Sequence, residues 1–267
     1  MTRSERSPNL HQAMPTPPYV MVVLVGMALA MIAGCGGGNG VIRKANLTAP
    51  AERGFIMREV AIDGKVRKYS IFIPHNYDRA QRWPAILFLH GIGEAGSDGV
   101  ANVGVGLGPV IAENPSSFPF ITIFPQSKGA WKSDASHREA IAVLEDVTRH
   151  YSVDPERITL TGLSTGGYGT WTLGEKYRNR FAALVPMCAY ANLSIADKLR
   201  DIPIWCFHNS LDPFVGSGES RQMVQRIKAV GGSIKYTQYD AVGHDVWVRA
   251  YHDPELFTWI LSQRRPH

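Results

Sequence analysis

The residues best suited to carry out a chemical reaction lie in the stretch Gly-Leu-Ser-Thr-Gly at 162–166. An apolar run at 157–162 leads into it and a helical pattern follows from about residue 166, which predicts that Ser164 sits on a sharp strand-to-helix turn. Glycines leave room for neighbouring backbone there, and the helix N-terminus offers unpaired N–H groups to a developing negative charge. We predict that Ser164 is a nucleophile; the alternative is a glycine-rich turn with a surface serine.

A matching acid and base follow the serine along the chain. The buried run at 202–207 leads to Asp212, and the run at 234–239 leads to His244, so both residues are expected at the carboxyl edge of a parallel sheet. The histidine would take the proton of the serine, and the aspartate would hold the imidazole in the correct tautomer. Asp245 is a competing acid, but its place beside His244 in the chain is poor for reaching that ring.

A second glycine-rich stretch, Gly-Ile-Gly-Glu-Ala-Gly at 91–96, follows the apolar run at 85–90. Its pattern also fits a dinucleotide site, but Ser-Asp-Gly at 97–99 follows instead of the apolar helix that would hold a pyrophosphate. We therefore predict an oxyanion-binding turn, in which the backbone amides of Ile92 and Thr165 stabilise the charge of the reacting carbonyl oxygen.

The remaining histidines and cysteines point to structural roles. His90 and His208 end predicted core strands, so we expect both rings to be hydrogen-bonded there rather than catalytic. Cys188 and Cys206 lie on predicted adjacent strands; two buried thiols are favoured and a disulfide stays open. No His, Asp or Glu cluster has the spacing of metal ligands, so we predict no metal site and no cofactor.

The elements that must position these residues alternate between strands and helices, which predicts the α/β class with a mostly parallel sheet covered on both faces. An Asp-Gly turn at 63–64 makes the first two strands a hairpin. The predicted strands are 56–62, 68–73, 85–90, 120–124, 157–162, 182–187, 202–207 and 234–239. The predicted helices are 135–150, one from about 166, 217–230 and 254–263.

The N-terminus has the features of a secretion signal. An apolar run at 19–33 follows two arginines and ends in small residues before Cys35, which resembles a bacterial lipobox in which the cysteine is lipidated. The alternative is an uncleaved transmembrane anchor. Both place the folded part outside the cytoplasm, on the periplasmic or extracellular face of the envelope. The predicted parts are a signal peptide at 1–34, a flexible tether at 35–54 and an α/β domain at 55–267.

Length and charge narrow the function further. The 267 residues, less a leader, suit one α/β domain with a single large core. The net charge of +5 is scattered, without a basic run interleaved with aromatics, so binding of nucleic acid is not expected.

Several stretches resemble the α/β-hydrolase superfamily, and within it a bacterial secreted group described as predicted peptidases, phospholipase/carboxylesterase-like proteins and polyhydroxybutyrate-depolymerase-like esterases. They include the runs at 89–99, 154–171 and 202–215 and the Gly-His-Asp-Val-Trp at 243–247. The resemblance implies an eight-stranded α/β-hydrolase fold. Thr165, where methionine is common, and Asn209, where glycine is usual, depart from the pattern.

The same resemblance carries residue roles onto this chain. It implies a Ser164–His244–Asp212 triad, with Gly91 and Ile92 in the oxyanion turn. It also places Trp131 on the substrate side of the site, with a packed loop aromatic as the alternative reading.

The connections between the elements bear on the substrate. Residues 189–201 are too few for a substantial cap domain, so we expect a fairly open site with a rim from 94–119. A small or polymeric carboxylic ester, hydrolysed through an acyl-enzyme, is the favoured substrate. A serine peptidase acting on short peptides, an acyltransferase and a non-catalytic binding protein stay as alternatives.

Overall fold

The computed structural model describes residues 52–265. The predicted signal peptide, the predicted lipidation site at Cys35 and all but the last residues of the predicted tether therefore lie outside the described part. Between residues 52 and 265, no helix is long and apolar enough to cross a membrane.

Within residues 52–265, eight strands form one sheet in the order β1-β2-β4-β3-β5-β6-β7-β8. The pairs β1–β2 and β2–β4 are antiparallel, and every other pair is parallel. The strands are β1 Gly54–Ile62, β2 Lys65–Ile73, β3 Trp83–Leu89, β4 Ile121–Pro125, β5 Val153–Leu163, β6 Ala183–Met187, β7 Ile204–Leu211 and β8 Ile234–Val242. The mostly parallel eight-stranded sheet is the predicted one.

The strand sequences explain their places. β3 and β4 are buried at every residue, as continuous apolar runs in the centre of a parallel sheet require. At the sheet edge, β1 alternates between half-buried and exposed residues. The hairpin between β1 and β2 turns at Asp63 and Gly64, which have φ values of +50° and +71°. Glycine and aspartate tolerate that left-handed conformation.

In the described part of the chain, six α-helices cover the sheet. They are α1 Leu107–Glu113, α2 Asp134–His150, α3 Thr165–Lys176, α4 Ser217–Ala229, α5 Val246–Ala250 and α6 Pro254–Ser262. Apolar residues of α2, α3 and α4 join one core cluster, and those of α1, α5 and α6 join the other. Alternate residues of β3 serve the two clusters, because successive side chains of a strand point to opposite faces. The prediction of helices on both faces is confirmed.

The structure adds two helices, α1 and α5, that the sequence pattern did not predict. Both are shorter than two full turns, and α1 contains Gly108 and Pro109, so neither produces a clear helical period. Between β6 and β7 the described chain forms a short 3₁₀ helix, Leu193–Leu199, rather than a cap domain.

Candidate active site

Ser164 lies at the turn between β5 and α3, with φ +54° and ψ −117°. A non-glycine residue with positive φ is strained, and the surrounding contacts explain why the turn keeps this shape. A Cβ on Gly166 would lie 2.0 Å from the Leu89 carbonyl oxygen, and one on Gly162 would lie 2.4 Å from the Gly166 carbonyl oxygen. The two glycines therefore let strand and helix cross closely enough to present the serine.

The predicted acid and base are in contact. His244 Nδ1 lies 2.6 Å from Asp212 Oδ2. The Asp212 side chain is fully buried, whereas that of His244 is partly exposed. With Nδ1–H donating to the carboxylate, Nε2 is the nitrogen left to accept a proton from a hydroxyl.

Backbone amides hold the Asp212 carboxylate in its charged form. Its Oδ1 accepts hydrogen bonds from the amides of Phe214 at 2.9 Å and Val215 at 3.0 Å. Burial alone would raise the pKa of Asp212, but these amides and the His244 imidazole outweigh it, and the pKa is lowered. The acid is therefore ionised at neutral pH, as an orienting partner of a histidine must be.

Ser164 and His244 both contact the chain at the end of β6. Among residues 52–265 no hydrogen bond joins the Ser164 hydroxyl to the imidazole, and such bonds are often long in a protein without substrate. The Ser164 amide donates to the carbonyl oxygen of Met187, the last residue of β6, at 3.1 Å, and the Sγ of the next residue, Cys188, lies 3.8 Å from the His244 carbonyl oxygen. The thiol, the Asp212 carboxylate and the His244 ring each have a polar atom within 4.8 Å of the others.

Those three groups are not arranged as metal ligands. The 2.6 Å hydrogen bond occupies one polar atom of both His244 and Asp212. Burial raises the pKa of the Cys188 thiol, which keeps it protonated and a poor ligand.

The turn after β3 runs beside the serine. A Cβ on Gly91 would lie 3.7 Å from Ser164 Cβ and only 2.9 Å from Leu163 Cδ1, so a side chain at 91 would crowd the site. Within the described chain, the amides of Ile92 and Thr165 donate no hydrogen bond. Two unengaged amides on either side of the serine have the character of an oxyanion hole.

A carboxylate that the sequence reasoning did not consider also reaches this turn. Glu94 Oε2 lies 3.1 Å from the position that a Gly91 Cβ would take. It brings negative charge close to the predicted oxyanion-binding amides.

The structure corrects the substrate-side prediction for Trp131. Its indole is fully buried and donates to the His90 carbonyl oxygen at 2.9 Å. A Cβ on Gly169 would lie 2.6 Å from Trp131 Cβ, so the tryptophan packs tightly on α3. A fully buried ring has no surface to offer a substrate, and the packed-aromatic alternative describes its position.

Other aromatic side chains do border the histidine. The Phe214 and Trp247 rings approach His244 edge-on, with centroids 5.5 Å and 5.8 Å away. Phe214 is 80% exposed, which makes it an apolar surface beside the base. It precedes Val215 in the loop that caps Asp212, a placement that no local sequence pattern marks.

His208 supports the acid from within the core. Its Nε2–H donates to the Val215 carbonyl oxygen at 2.8 Å and lies 3.4 Å from Asp212 Oδ2, while Nδ1 lies 2.8 Å from the Ser220 hydroxyl. Burial lowers the pKa of His208, so the ring is neutral. His90 is likewise buried, and its Nε2 accepts from the Ser127 amide at 3.0 Å.

Asn209, noted in the sequence as a departure, anchors the histidine loop. Its Nδ2 donates to the Gly243 carbonyl oxygen at 3.0 Å and to Asp245 Oδ1 at 3.2 Å. Asp245 is thus tied to Asn209, and among the described residues it makes no hydrogen bond to the His244 ring. Sequence reasoning missed this role because Asn209 lies on β7 whereas Gly243 follows β8.

Both described cysteines are free thiols in the core. Cys188 and Cys206 are buried, and neither forms a disulfide within residues 52–265. Burial raises the pKa of Cys206 to about 12, so this thiol is unreactive.

The chain is similar to several known esterases and peptidases. Residues 126–206 match the prolyl oligopeptidase family. A solved thermostable esterase is 28% identical with a TM-score of 0.72, covering 79% of this chain and 63% of that one. A ferulic acid esterase is 16% identical with a TM-score of 0.62, covering 77% of this chain and 98% of that one.

Two further relatives are longer than this chain. An acylaminoacyl peptidase of Pyrococcus horikoshii is 13% identical with a TM-score of 0.60, covering 80% of this chain and 43% of that one. An uncharacterized secreted protein of Arthroderma benhamiae is 23% identical over 212 residues, 63% of this chain and 22% of that protein. This chain therefore spans about a fifth of that curated relative and less than two thirds of the thermostable esterase.

Proposed function

We propose that this chain is a serine hydrolase of the α/β-hydrolase superfamily and that it cleaves carboxylic esters. Ser164 is the nucleophile, His244 the general base and Asp212 the acid that orients it. The observation that supports this most is the 2.6 Å contact between His244 Nδ1 and Asp212 Oδ2, close to a strained serine turn.

The reaction follows from these positions. Ser164 Oγ attacks the ester carbon while His244 Nε2 takes its proton, and the amides of Ile92 and Thr165 stabilise the tetrahedral oxyanion. The imidazolium, stabilised by Asp212, then gives its proton to the departing alcohol. A water molecule, activated by His244, then attacks the acyl-enzyme by the same steps and releases the carboxylic acid. No cofactor takes part in the proposed reaction.

Two observations favour an ester over a peptide as substrate: the similarity of the chain to solved esterases, and the open approach to the proposed site. The thermostable esterase has the highest TM-score of the proteins compared above, and the ferulic acid esterase matches over nearly its whole length. The absence of a cap domain in the described chain suits small or polymeric esters that approach an open site.

A serine peptidase acting on short peptides is the second candidate. The match to the prolyl oligopeptidase family and the likeness to an acylaminoacyl peptidase favour it. Turnover of para-nitrophenyl esters and of aminoacyl para-nitroanilides separates the two. We expect kcat/KM for the esters to be the larger, and a preference for the anilides would select the peptidase.

The nucleophile is tested by labelling with a fluorescent fluorophosphonate. We expect the wild-type protein to be labelled and Ser164→Ala to be unlabelled, since the probe bonds to an activated serine oxygen. Ser194→Ala, a substitution at an exposed position of the 3₁₀ helix between β6 and β7, is the control and should label like wild type. Equal labelling of wild type and Ser164→Ala refutes the assignment.

We also propose that the enzyme works outside the cytoplasm, held to the membrane by a lipid on Cys35. The N-terminal leader supports this, as does the likeness to a secreted protein. In the same labelling experiment, a membrane-impermeant probe should label intact or outer-membrane-permeabilised cells. The labelled band should move from the membrane fraction to the soluble fraction in Cys35→Ser, and an unchanged distribution contradicts the anchor.

A further inference from the structure

A cation and two phenols lie together near the proposed nucleophile, and the triad does not use them. The Tyr168 and Tyr190 rings are stacked at a tilt of 32°, with centroids 4.7 Å apart. Lys132 Nζ lies 5.9 Å from the Tyr168 centroid and 5.3 Å from that of Tyr190. We call these three residues the Lys132 cluster.

The backbone places the Lys132 cluster one helical turn from the serine. The Tyr168 amide donates to the Ser164 carbonyl oxygen at 3.0 Å in the first turn of α3. Tyr190 follows Ala189, whose Cβ would lie 2.8 Å from a Cβ on Gly167 of the same turn. Both tyrosines are half-buried, so part of each ring is open to solvent.

Trp131 fixes the position of the lysine. That buried indole packs against α3 and bonds the end of β3, so the residue after it must emerge beside the same turn. Lys132 is exposed there. The burial of Trp131, which excludes it from the substrate, thus places its charged neighbour at the rim of the site.

The charge of Lys132 does not stabilise the described fold through an ion pair. Within residues 52–265 it forms no salt bridge. It also immediately precedes Ser133, the N-cap of α2, where the helix dipole disfavours a cation. A hydrogen bond with Tyr190 raises the pKa of Lys132, so the ammonium is charged at neutral pH.

We propose that the Lys132 cluster binds a negatively charged group, a carboxylate, carried by the ester substrate, with the tyrosine rings supporting the flat portion next to it. This rests on the proposed esterase function and narrows its substrate class. Charge complementarity carries the proposal: among residues 52–265, Lys132 is an exposed cation without a carboxylate partner, and it lies beside a tyrosine that is one helical turn from the proposed nucleophile.

Glu94 favours one orientation of an anionic substrate in the site. Its carboxylate lies close to Gly91 in the oxyanion turn, where it would repel a second anion. A substrate anion is therefore favoured at the end of the site that carries Lys132. Neutral esters would bind without this preference.

Paired substrates test the proposal. In the acyl half, the para-nitrophenyl monoester of glutarate is compared with para-nitrophenyl valerate; in the alcohol half, para-acetoxybenzoate is compared with its methyl ester. For each pair, the ratio of kcat/KM for the charged to the neutral ester is measured in wild type and in variants, so that differences in intrinsic reactivity cancel.

We expect Lys132→Gln to lower that ratio about fivefold for at least one pair, the size expected of an exposed ion pair. Lys132→Arg should retain most of the ratio. Lys128→Gln, an exposed lysine in the same loop, is the matched control and should leave it unchanged. Added salt should weaken the preference in wild type and have little effect in Lys132→Gln.

An unchanged ratio in Lys132→Gln for both pairs overturns the proposal, as does an equal loss with Lys128→Gln. Equal losses for charged and neutral esters assign Lys132 a positioning role and also overturn it. Failure of the esterase function itself has a different signature, because Ser164→Ala would then retain turnover of the neutral esters.

Discussion

At the scale of single residues, the site depends on a few side chains held in unusual states. Ser164 has a backbone conformation that most residues avoid, and Asp212 is a buried carboxylate whose pKa is nevertheless lowered. The strain at Ser164 is held by contacts of its neighbours with β3 and β6. The charge on Asp212 is held by two backbone amides and one imidazole.

Asp212→Asn tests whether the carboxylate orients the base. An asparagine amide facing Nδ1 favours the wrong tautomer of His244, so we expect kcat to fall by roughly four orders of magnitude in a folded protein. Asp245→Asn is the matched control, because in the described chain Asp245 accepts a hydrogen bond from Asn209 and not from the His244 ring. We expect kcat of this variant to fall less than tenfold. Turnover of para-nitrophenyl butyrate measures both, and near-normal kcat in folded Asp212→Asn removes this residue from the mechanism.

At the scale of elements, the site is built where strands end. Ser164 follows β5, the oxyanion turn follows β3, and the acid and base follow β7 and β8. Parallel strands bring their carboxyl ends to one edge, which places these residues on the same side of the sheet. Side-chain contacts, such as that of Asn209 on β7 with Gly243 in the loop after β8, then set the finer positions.

The crossing of β3 and α3 depends on Gly166. A Cβ there would meet the Leu89 carbonyl oxygen at 2.0 Å, and the next nearest atoms are also backbone atoms of Leu89 and His90, so no flexible side chain could move to make room. We expect Gly166→Ala to lower the free energy of unfolding by about 3 kcal/mol or more.

Gly218→Ala in α4 is the control for that substitution. The nearest atom to its new Cβ is Arg221 Nη2 at 3.7 Å, so the helix should gain up to about 1 kcal/mol. Urea unfolding measures both variants. A Gly166→Ala protein as stable as wild type would contradict the close crossing.

At the scale of the whole molecule, buried ionisable groups make the fold sensitive to acid. Desolvation lowers the pKa of three buried histidines below the ordinary value of 6.5. They are His90, His137 and His208. Below about pH 6.5 the unfolded chain binds protons at these residues that the folded protein does not, so stability falls as the pH falls.

We therefore expect the Tm to decrease progressively between about pH 7 and pH 5, well above the range where carboxylates titrate. His252 provides an opposing control. Hydrogen bonds with the Val248 carbonyl oxygen and Glu113 raise its pKa, so it stabilises the folded state below pH 6.5. His252→Gln should steepen the acid loss measured by circular dichroism, and a flat Tm profile in wild type would contradict the argument.

The amino-acid sequence determined the fold class, the number of strands and the chain positions of the proposed triad. These features are written in local periodicity and in the order of motifs: continuous apolar runs for buried strands, and a glycine-framed serine between strand and helix. The short helices α1 and α5 were not predicted, because five to seven residues are too few to show a helical periodicity.

Only the tertiary structure decided which side chains meet. The burial of Trp131 depends on the space left by Gly169, and the meeting of Cys188 with His244 depends on the pairing of β6 with β7. The Lys132 cluster likewise joins residues from three separate loops and helices. Contacts between distant parts of the chain arise from packing the whole core at once, and no local pattern records them.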